Sequence, residues 1–333
     1  MKKRTPQIPN RTPEALPLTT SITRRAFFQA AGAATLLATA RAHPHFALPG
    51  TLPNPVGYSN ISWPAHELNQ AMENVSALGY QGMQFLGWVQ EAYAGNKAAE
   101  LKDRLRSLRL SAAALSCSKV RLCPGSADTS TGQFREYADF LHALGGNILQ
   151  VIDSGKPRGN YSAEEIKSMG ARMNELGAMA KDAGMTLGYH PHFGTFGETR
   201  EGLGRVMDCT DPRYVGLIAD VAHLKLGGSD PAEVIRTYRQ RLALLHLKDV
   251  RQDAYELAQQ RPVAPQALTM RFCEIGRGVV DFPAVVSSLR ESGFDGWAIV
   301  ELDRFQPPPG GPAESARINK EALRSLGFRF PSG

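Results

Sequence analysis

Four apolar segments in the second half of the chain end in residues that bind metals or move protons. Each segment is short enough to form one buried strand, and His, Asp or Glu stands where its apolar run ends. A buried ionisable side chain is costly unless it is paired or bound to a cation. Four such ends therefore indicate one shared site. The segments are residues 187–192, 215–223, 242–249 and 297–303.

Three of these ends carry Asp220, His246 and Glu301. Two carboxylates and an imidazole suit Mn²⁺, Mg²⁺, Co²⁺ or Zn²⁺. The chain has no Cys-x-x-Cys motif, which argues against a structural zinc site. Taken singly, an Asp after a strand is an ordinary helix cap and a His is an ordinary hydrogen-bonded core residue. On successive strands of one sheet, the set favours a metal site.

Strand-like and helix-like stretches alternate eight times from residue 56 onward. The strand-like stretches are apolar without alternation, which is typical of parallel strands buried on both faces. Eight such units predict an α/β fold of the (β/α)8 TIM barrel type rather than an open doubly wound sheet. The predicted strands are 56–61, 82–86, 112–116, 148–152, 185–190, 215–220, 242–246 and 297–301. The predicted helices are 65–78, 98–108, 132–144, 162–183, 282–291 and 313–326, with two more starting near 199 and 231.

A barrel places its active site at the carboxyl ends of its strands, where the candidate ligands lie. No Gly-x-Gly-x-x-Gly follows the first strand, so nothing supports dinucleotide binding. The longest irregular insertion, 251–271, follows the seventh strand. We expect it to lie over the mouth of the barrel as a substrate-shaping loop or lid.

Four motifs resemble the sugar phosphate isomerase/epimerase superfamily, the xylose isomerase-like TIM barrels. They are Asp-Val-Ala-His at 220–223, His-Leu-Lys-Asp at 246–249, Glu-Ile-Gly-Arg-Gly-Val-Val-Asp-Phe at 274–282 and Val-Glu-Leu-Asp at 300–303. The superfamily includes ketose 3-epimerases, hydroxypyruvate isomerase, inosose dehydratase and endonuclease IV, and the resemblance spans residues 50–328. It implies a divalent metal held by Glu, Asp, His and Glu from the last four strands. Asp220, His246 and Glu301 match the last three of these ligands.

The fifth strand departs from the epimerase pattern, because it ends in His190-Pro-His192 rather than in Glu. This segment and the Gly-Thr that follows it resemble the inosose dehydratase-like branch. We therefore expect Glu198 as the fourth ligand, with His190 or His192 as the alternative. Glu198 is otherwise a first-turn carboxylate of the next helix. Gln84 stands where many relatives have Glu, and an amide binds a hydroxyl but cannot act as a base.

These parts predict proton abstraction beside a carbonyl. A metal polarises the carbonyl of a keto-sugar, and a base removes the α-proton to give an enediolate. His192, His190 and Glu198 are the candidate bases. His223 is expected to support the site or to donate to a hydroxyl, and Lys248 to steady the enediolate oxygen. The candidates for substrate binding are Arg251, Gln84 and Trp88, with Trp63 and Tyr58 as further stacking partners. Lys248 and Arg251 alternatively pair with Asp249, and the aromatic residues alternatively pack in the core.

The leading expectation is a metal-dependent sugar isomerase or epimerase that acts on a small keto-sugar or keto-polyol. A lyase or dehydratase on the same scaffold is one alternative, because loss of a β-leaving group starts from the same enediolate. A sugar-binding barrel without catalysis is another, motivated by Gln84 and the missing Glu of the fifth strand. Barrels of this kind commonly form homo-oligomers, so a dimer or tetramer is possible.

The positive charge of the chain lies in its leader. The formal charge is +6, but residues 1–42 hold seven of the 38 Lys and Arg residues and one of the 32 acidic residues. The remaining chain is neutral, which argues against nucleic acid as a partner and against an endonuclease IV-like activity.

The leader also resembles a twin-arginine export signal. Arg24-Arg25 precedes an apolar stretch, 26–40, that is too short to span a membrane, and small-x-small cleavage sites follow. We expect residues 1–42 to be a signal peptide and residues 43–333 to be one periplasmic barrel domain, without stable membrane insertion after cleavage. The alternative is an anchoring or disordered N-terminus with a chance arginine pair.

Overall fold

Eight parallel strands close into a barrel, which confirms the predicted fold. The computed structural model describes residues 50–331 except positions 96, 119, 121, 123–128, 154–160 and 261–269. The strands are β1 Val56–Ser59, β2 Gly82–Leu86, β3 Ser111–Ser116, β4 Ile148–Val151, β5 Thr186–Tyr189, β6 Val215–Asp220, β7 Leu242–Leu247, β8 Asp249–Val250, β9 Phe272–Cys273 and β10 Ala298–Val300. β8 and β9 form a separate antiparallel pair, and β10 closes the barrel between β7 and β1.

Helices follow the barrel strands. They are α1 Leu68–Ala77, α2 Trp88–Ala92, α3 Lys97–Ser107, α4 Thr129–Leu144, α5 Ala163–Asp182, α6 Arg200–Asp208, α7 Val221–Leu226, α8 Pro231–Thr237, α9 Gln252–Gln259, α10 Phe282–Ser292 and α11 Gly311–Ser325. A capping box starts α5, since Ser162 Oγ accepts from Glu165 N and Glu165 Oε2 accepts from Ser162 N. Three short helices, α2, α7 and α9, were not predicted.

The period of two along a strand explains where the polar residues lie. Six apolar side chains pack together in a cluster of their own: Ala113, Ala114, Ile148, Ile218, Leu244 and Ile299. Side chains two positions apart point to the same face of a strand. The positions two residues beyond the last four of these are occupied by Gln150, Asp220, His246 and Glu301. The barrel interior therefore changes from an apolar layer to a polar layer at its carboxyl end.

On β5, Gly188 leaves space for the Ile218 side chain of the apolar layer. A Cβ at this position would lie 2.6 Å from Ile218 Cγ1, so only glycine fits beside the apolar layer. Two residues later the chain presents His190, which is 2% exposed. The fifth strand thus contributes glycine to the apolar layer and the His190 imidazole to the polar layer.

Two buried aspartates hold loops at the mouth. Asp153, two residues after β4, accepts hydrogen bonds from Tyr189 Oη, Thr195 Oγ1, Phe196 N and Gly197 N. Asp249 accepts from the backbone N–H groups of Val250, Gly276, Gly278 and Val280. The expected alternative, an ion pair of Asp249 with Lys248 or Arg251, is therefore wrong, because backbone donors surround this carboxylate.

Several predictions fall on residues that the structure does not describe. The predicted signal peptide, residues 1–42, lies outside the described residues, and so does most of the second half of the insertion 251–271. The first half of that insertion is α9. Within the described part of the chain, no helix combines the length and apolar character needed to cross a membrane.

Candidate active site and metal centre

Four side chains from neighbouring strands converge at the mouth of the barrel. The potential ligand atoms of His190, Asp220, His246 and Glu301 all lie within 4.8 Å of one another. His246 Nδ1 is 3.2 Å from Glu301 Oε2 and 3.6 Å from Asp220 Oδ2, and His190 Nε2 is 3.4 Å from Asp220 Oδ2. The register of the sheet places Asp220 beside His246 on adjacent strands.

These four residues, the ligand cluster, fit a divalent cation. His246 Nδ1, His190 Nε2 and Asp220 Oδ2 are buried and make no hydrogen bond of good geometry, although Asp220 Oδ2 also has an ion pair with Lys248. Buried polar atoms without partners are costly, and a cation between them satisfies all three. Nitrogen and carboxylate oxygen together suit the Zn²⁺, Mn²⁺, Co²⁺ and Mg²⁺ group. The donor set therefore accommodates a metal but does not select one.

A chain of amide groups sets the proton positions on two of these rings. His246 Nε2 donates to Gln84 Oε1 at 2.8 Å, because an amide oxygen only accepts. Gln84 Nε2 in turn donates to Glu301 Oε1 at 3.3 Å and to Gln150 Oε1 at 2.7 Å. The proton on Nε2 leaves the Nδ1 lone pair of His246 directed at Glu301 and Asp220. His246 is thus prepared as a ligand.

The far end of the same chain has the opposite effect on His190. Gln150 Nε2 donates to His190 Nδ1 at 3.0 Å, so a neutral His190 carries its proton on Nε2, the atom that faces Asp220. His190 becomes a ligand only if the Gln150 amide turns over. Gln84 opposes this rotation, since it needs the Gln150 oxygen as its acceptor. Asp220, His246 and Glu301 are therefore the three residues of the cluster that could bind a cation without such a rotation.

Lys248 lies beneath the ligand cluster and balances its charge. Its Nζ is 3.0 Å from Asp220 Oδ2, 3.1 Å from Glu301 Oε2 and 2.9 Å from Asp303 Oδ1. Burial alone would lower the pKa of Lys248, but the three carboxylates raise it above its usual value. Burial likewise opposes ionisation of Asp220 and Glu301, yet the neighbouring cationic groups hold the pKa values of both carboxyls below their usual range. The carboxylates stay ionised at neutral pH.

A second pair of imidazoles lies beside His190 of the cluster. The rings of His192 and His223 have centroids 3.8 Å apart and planes tilted by 38°. His192 Nδ1 donates to Phe193 O at 2.9 Å, and Phe193 N donates to His223 Nδ1 at 3.1 Å. One backbone residue thus fixes opposite tautomers. His192 presents a lone pair on Nε2, whereas His223 presents an N–H on Nε2.

The surroundings keep both rings neutral. Burial, and then the neighbouring His190, lower the pKa of His192 to about 4. Burial and the neighbouring His192 and Lys248 hold the pKa of His223 well below its usual value. Together with Asp303 these rings form a second group whose potential ligand atoms lie within 4.8 Å. His223 does not suit a metal there, because Phe193 N–H occupies Nδ1 and the proton occupies Nε2.

Glu198 takes a different place from the expected one. It lies in a 3₁₀ turn, 196–198, and its carboxylate accepts from Gly194 N at 2.7 Å. This hydrogen bond ties the carboxylate to the loop that carries His192, and the groups of potential ligands do not include it among the described residues. The position next to Asp220 is taken by His190, the alternative from the sequence. The reason is that β5 ends at Tyr189 and points the next side chain into the barrel.

The residues expected to bind substrate lie in different surroundings. Arg251 is outside the cluster, because its exposed guanidinium pairs with Asp253 at 2.8 Å. Gln84 lies fully buried within the amide chain. Trp88 starts α2 and packs partly buried against the core. Tyr58 and Trp63 are buried and make an edge-to-face contact at 5.2 Å, which favours core packing over sugar stacking.

Three residues near the site were missed by the sequence reasoning. Gln150 follows the same rule as the ligands, two positions after an inward apolar residue, and that rule would have found it. Asp303 stands in a quoted motif but was given no role. Arg271 lies at the end of the insertion, and no periodic pattern around it signals a position at the mouth.

Comparison with known proteins agrees with the fold and the motifs. The family model of the xylose isomerase-like TIM barrel matches residues 72–326. The chain is 29% identical to an inosose dehydratase of Lacticaseibacillus casei, over 81% of this chain and 94% of that protein. It is 28% identical to an inosose dehydratase of Bacillus velezensis, with the same shares covered.

Solved structures share the barrel at low identity. The probable 3-DHS dehydratase AsbF of Bacillus anthracis superposes with a TM-score of 0.67 at 15% identity, covering 80% of this chain and 98% of that one. The IOLI protein, described with a binding zinc atom, gives 0.65 at 18% identity, covering 84% of this chain and 100% of that one. The extent of the family match decides the assignment: this chain belongs to the xylose isomerase-like TIM barrel family.

Proposed function

We propose that the protein is a divalent-metal-dependent lyase that removes water from a keto-polyol. The observation that carries this proposal is the pair of opposite tautomers fixed by Phe193, which puts one proton acceptor and one hydrogen-bond donor beside the ligand cluster. Relatives described as inosose dehydratases support this reaction class over the expected isomerase. The zinc atom of the IOLI protein supports a metal in a barrel of this kind.

Asp220, His246 and Glu301 would hold the metal, with His190 as a fourth ligand after rotation of Gln150. When bound, a divalent ion polarises a substrate carbonyl and acidifies the proton on the adjacent carbon. Lys248 offsets part of the charge of the three carboxylates around it. With less negative charge around it, a bound metal ion would keep more of its ability to polarise a substrate oxygen.

His192 is the base in this proposal. Its Nε2 lone pair removes the α-proton, and the imidazolium then returns a proton to the hydroxyl that leaves from the next carbon. One C–H and one C–O bond break, a carbon–carbon double bond forms, and water departs. His223 Nε2–H donates a hydrogen bond to a substrate oxygen and keeps its proton, because a neutral imidazole is a very weak acid.

An isomerase would return the proton to carbon instead. Epimerisation needs a proton donor on the opposite face from the base. Among the four clustered histidines, His192 alone combines a ring lone pair with partial exposure, whereas the other three are buried. This arrangement favours elimination on one face of the substrate.

The test is product analysis with the metal-loaded protein. A panel of keto-inositols and keto-sugars, with inosose first, is incubated with protein and followed by mass spectrometry and near-ultraviolet absorbance. The proposal expects a product lighter by one water that absorbs as a conjugated ketone. An isomer of unchanged mass would favour the isomerase or epimerase reading. No product with metal bound would favour a sugar-binding barrel, and Asp220→Asn supplies the metal-deficient control.

A further inference from the structure

Arg271 is a buried cation with no role in the chemistry proposed above. It is 4% exposed, yet its Nε and Nη1 are buried without a hydrogen-bond partner. No ion pair of this guanidinium is found among the described residues. Leaving charged donors unsatisfied inside a protein is costly. Such an arrangement persists where a bound molecule supplies the missing acceptors.

The guanidinium is held in a fixed place. Its central carbon lies 5.6 Å from the ring centroids of both Phe193 and Phe272. The backbone is held on both sides, since Arg271 N donates to Arg304 O at 2.9 Å and Arg271 O accepts from Arg251 N at 3.0 Å. The side chain therefore has little freedom to seek a partner elsewhere on the protein.

This place is the wall of the candidate active site. Phe193 carries the backbone groups that fix His192 and His223, and the Phe272 ring lies 4.9 Å from the His223 ring. Lys248 Nζ lies 4.6 Å from the centroid of the same Phe272 ring. Arg271, His223 and Lys248 therefore all contact the same Phe272 ring, so the guanidinium borders the group of side chains proposed to act on the substrate.

The charge at the mouth also favours an anion. Asp220, Glu301 and Asp303 carry three negative charges, and Lys248 carries one positive charge. A divalent ion and Arg271 turn this negative balance into a net charge of about +1, by ordinary ionisation at neutral pH. Burial lowers the pKa of Arg271 and Asp303 opposes this shift, but arginine keeps its charge in proteins. A substrate that carries one negative charge neutralises the complete site.

We infer that Arg271 binds an anionic group of the substrate, a carboxylate or a phosphate, while the keto-polyol part lies at the ligand cluster. The planar guanidinium offers parallel N–H donors that match the oxygens of either group. This inference rests on the proposed function for the keto-polyol part of the ligand. It narrows the substrate class to acidic keto-polyols or phosphorylated ones.

Equilibrium binding tests this without turnover. Three probes that differ at one carbon, D-glucose, D-glucuronate and D-glucose 6-phosphate, are titrated into the metal-loaded protein by calorimetry. We expect at least one anionic probe to bind about tenfold or more tightly than glucose, as charge-assisted hydrogen bonds provide. The anionic probe that binds more tightly than glucose shows whether the bound group is a carboxylate or a phosphate. Equal affinity for all three, or no binding of either anion, contradicts the inference.

Variants locate the effect. Arg271→Met should abolish the preference for the anion, and Arg271→Lys, which keeps the charge but loses the planar fork, should retain part of it. Arg251→Met is the matched control, because Arg251 is exposed and paired with Asp253, and it should leave the preference unchanged. Unchanged metal affinity shows that each variant is folded, and Arg271→Lys carries the test if Arg271→Met does not fold. A preference that survives in both Arg271 variants overturns the inference. The dehydration assay tests the proposed function, whereas the binding titration tests the anion site. A negative result in the dehydration assay therefore does not contradict a measured preference for the anion.

Discussion

At the scale of single residues, amide and backbone groups place the protons on the four histidines of the mouth. Gln84 accepts a hydrogen bond from His246, and Gln150 donates one to His190. The backbone of Phe193 donates to His223 and accepts from His192. These partners are uncharged amide and peptide groups, and each one sets which ring nitrogen of its histidine carries the proton. The proposed division of the histidines into ligand, base and donor rests on these hydrogen bonds.

Replacing Gln150 tests this division. In Gln150→Glu, a carboxylate accepts from His190 Nδ1 and frees the Nε2 lone pair to join Asp220, His246 and Glu301. We expect metal affinity to rise by about tenfold or more, the lower end of the effect of outer-shell partners. Competition with a chromophoric chelator measures it.

The gain should require His190. In a His190→Ala background, Gln150→Glu should leave the affinity nearly unchanged, since the new carboxylate then has no ring to orient. A gain of equal size in both backgrounds would mean that the added charge acts directly on the metal, and the proton assignment along the amide chain would be wrong.

The low pKa of His192 predicts the acid limb of the pH profile. Burial and the neighbouring His190 lower this pKa to about 4. The base acts in its unprotonated form, which is present above the pKa and is lost as the pH falls through it. The acid limb of kcat/KM should therefore lie near pH 4 rather than near the usual 6.5 of histidine. Metal content is measured at each pH, and a limb near 6.5 with metal retained would contradict the role of His192.

The sequence predicted part of this residue-scale account. Asp220, His246 and Glu301 share one signal, a polar residue where an apolar strand ends. The tautomers of His192 and His223 had no such signal in the sequence, because the Phe193 backbone contacts both rings only after its loop folds back toward α7. The position of Glu198 also had no signal in the sequence, since its hydrogen bond to Gly194 N depends on the turn between them.

At the scale of elements, buried aspartates link the loops of the mouth to the strands. Asp153 follows β4 and holds the β5 loop through two hydroxyls and two backbone N–H groups. Burial raises the pKa of Asp153 although these four hydrogen bonds favour its carboxylate. The loop that carries His192 therefore depends on one side chain of the neighbouring strand.

Two substitutions at Asp153 should behave differently. Asp153→Asn can keep its oxygen on Phe196 N and Gly197 N while its amide donates to the hydroxyls, so we expect a loss within about 1 kcal/mol. Asp153→Ala leaves both N–H groups without a partner, and we expect a loss of about 2–4 kcal/mol in the free energy of unfolding. Denaturant unfolding measures both values. Equal losses for the two variants would show that these hydrogen bonds do not hold the loop.

The elements themselves were largely predictable. β2 and β6 match their predicted bounds, and the other barrel strands differ by one or two residues, because long apolar runs between helical patterns leave little choice. The short helix α7 was not predicted because no residue separates it from β6. α7 begins directly after Asp220, and this residue serves both as a candidate ligand and as the cap of the helix.

At the scale of the whole molecule, the barrel brings residues from β2, β4, β5, β6, β7 and the end of β10 to one place. These residues are separated by up to about two thirds of the chain, and only closure of the sheet makes them neighbours. The sequence predicted the closure from the count of eight units. The neutral charge of the chain after residue 42 is also a property of the whole molecule, and it fits a small substrate better than a polyanion.

Export by the twin-arginine route stays a prediction from the leader. Arg24→Lys combined with Arg25→Lys keeps the charge but removes the arginine pair. We expect the unaltered chain in the periplasmic fraction as a shortened form, and the double variant in the cytoplasmic fraction at full length. Fractionation and immunoblotting distinguish these results. Equal export of both chains would show that the leader has another function.

The most direct test of the central claim follows the α-proton itself. Metal-loaded protein and its His192→Ala variant are each mixed with the keto-polyol in D₂O, and proton NMR follows exchange at the α-carbon and loss of water. We predict elimination by the unaltered protein and a rate lower by about 10²–10⁴-fold in the variant, with metal still bound. Equal rates in the two proteins, or neither exchange nor elimination in the metal-loaded protein, would contradict the account.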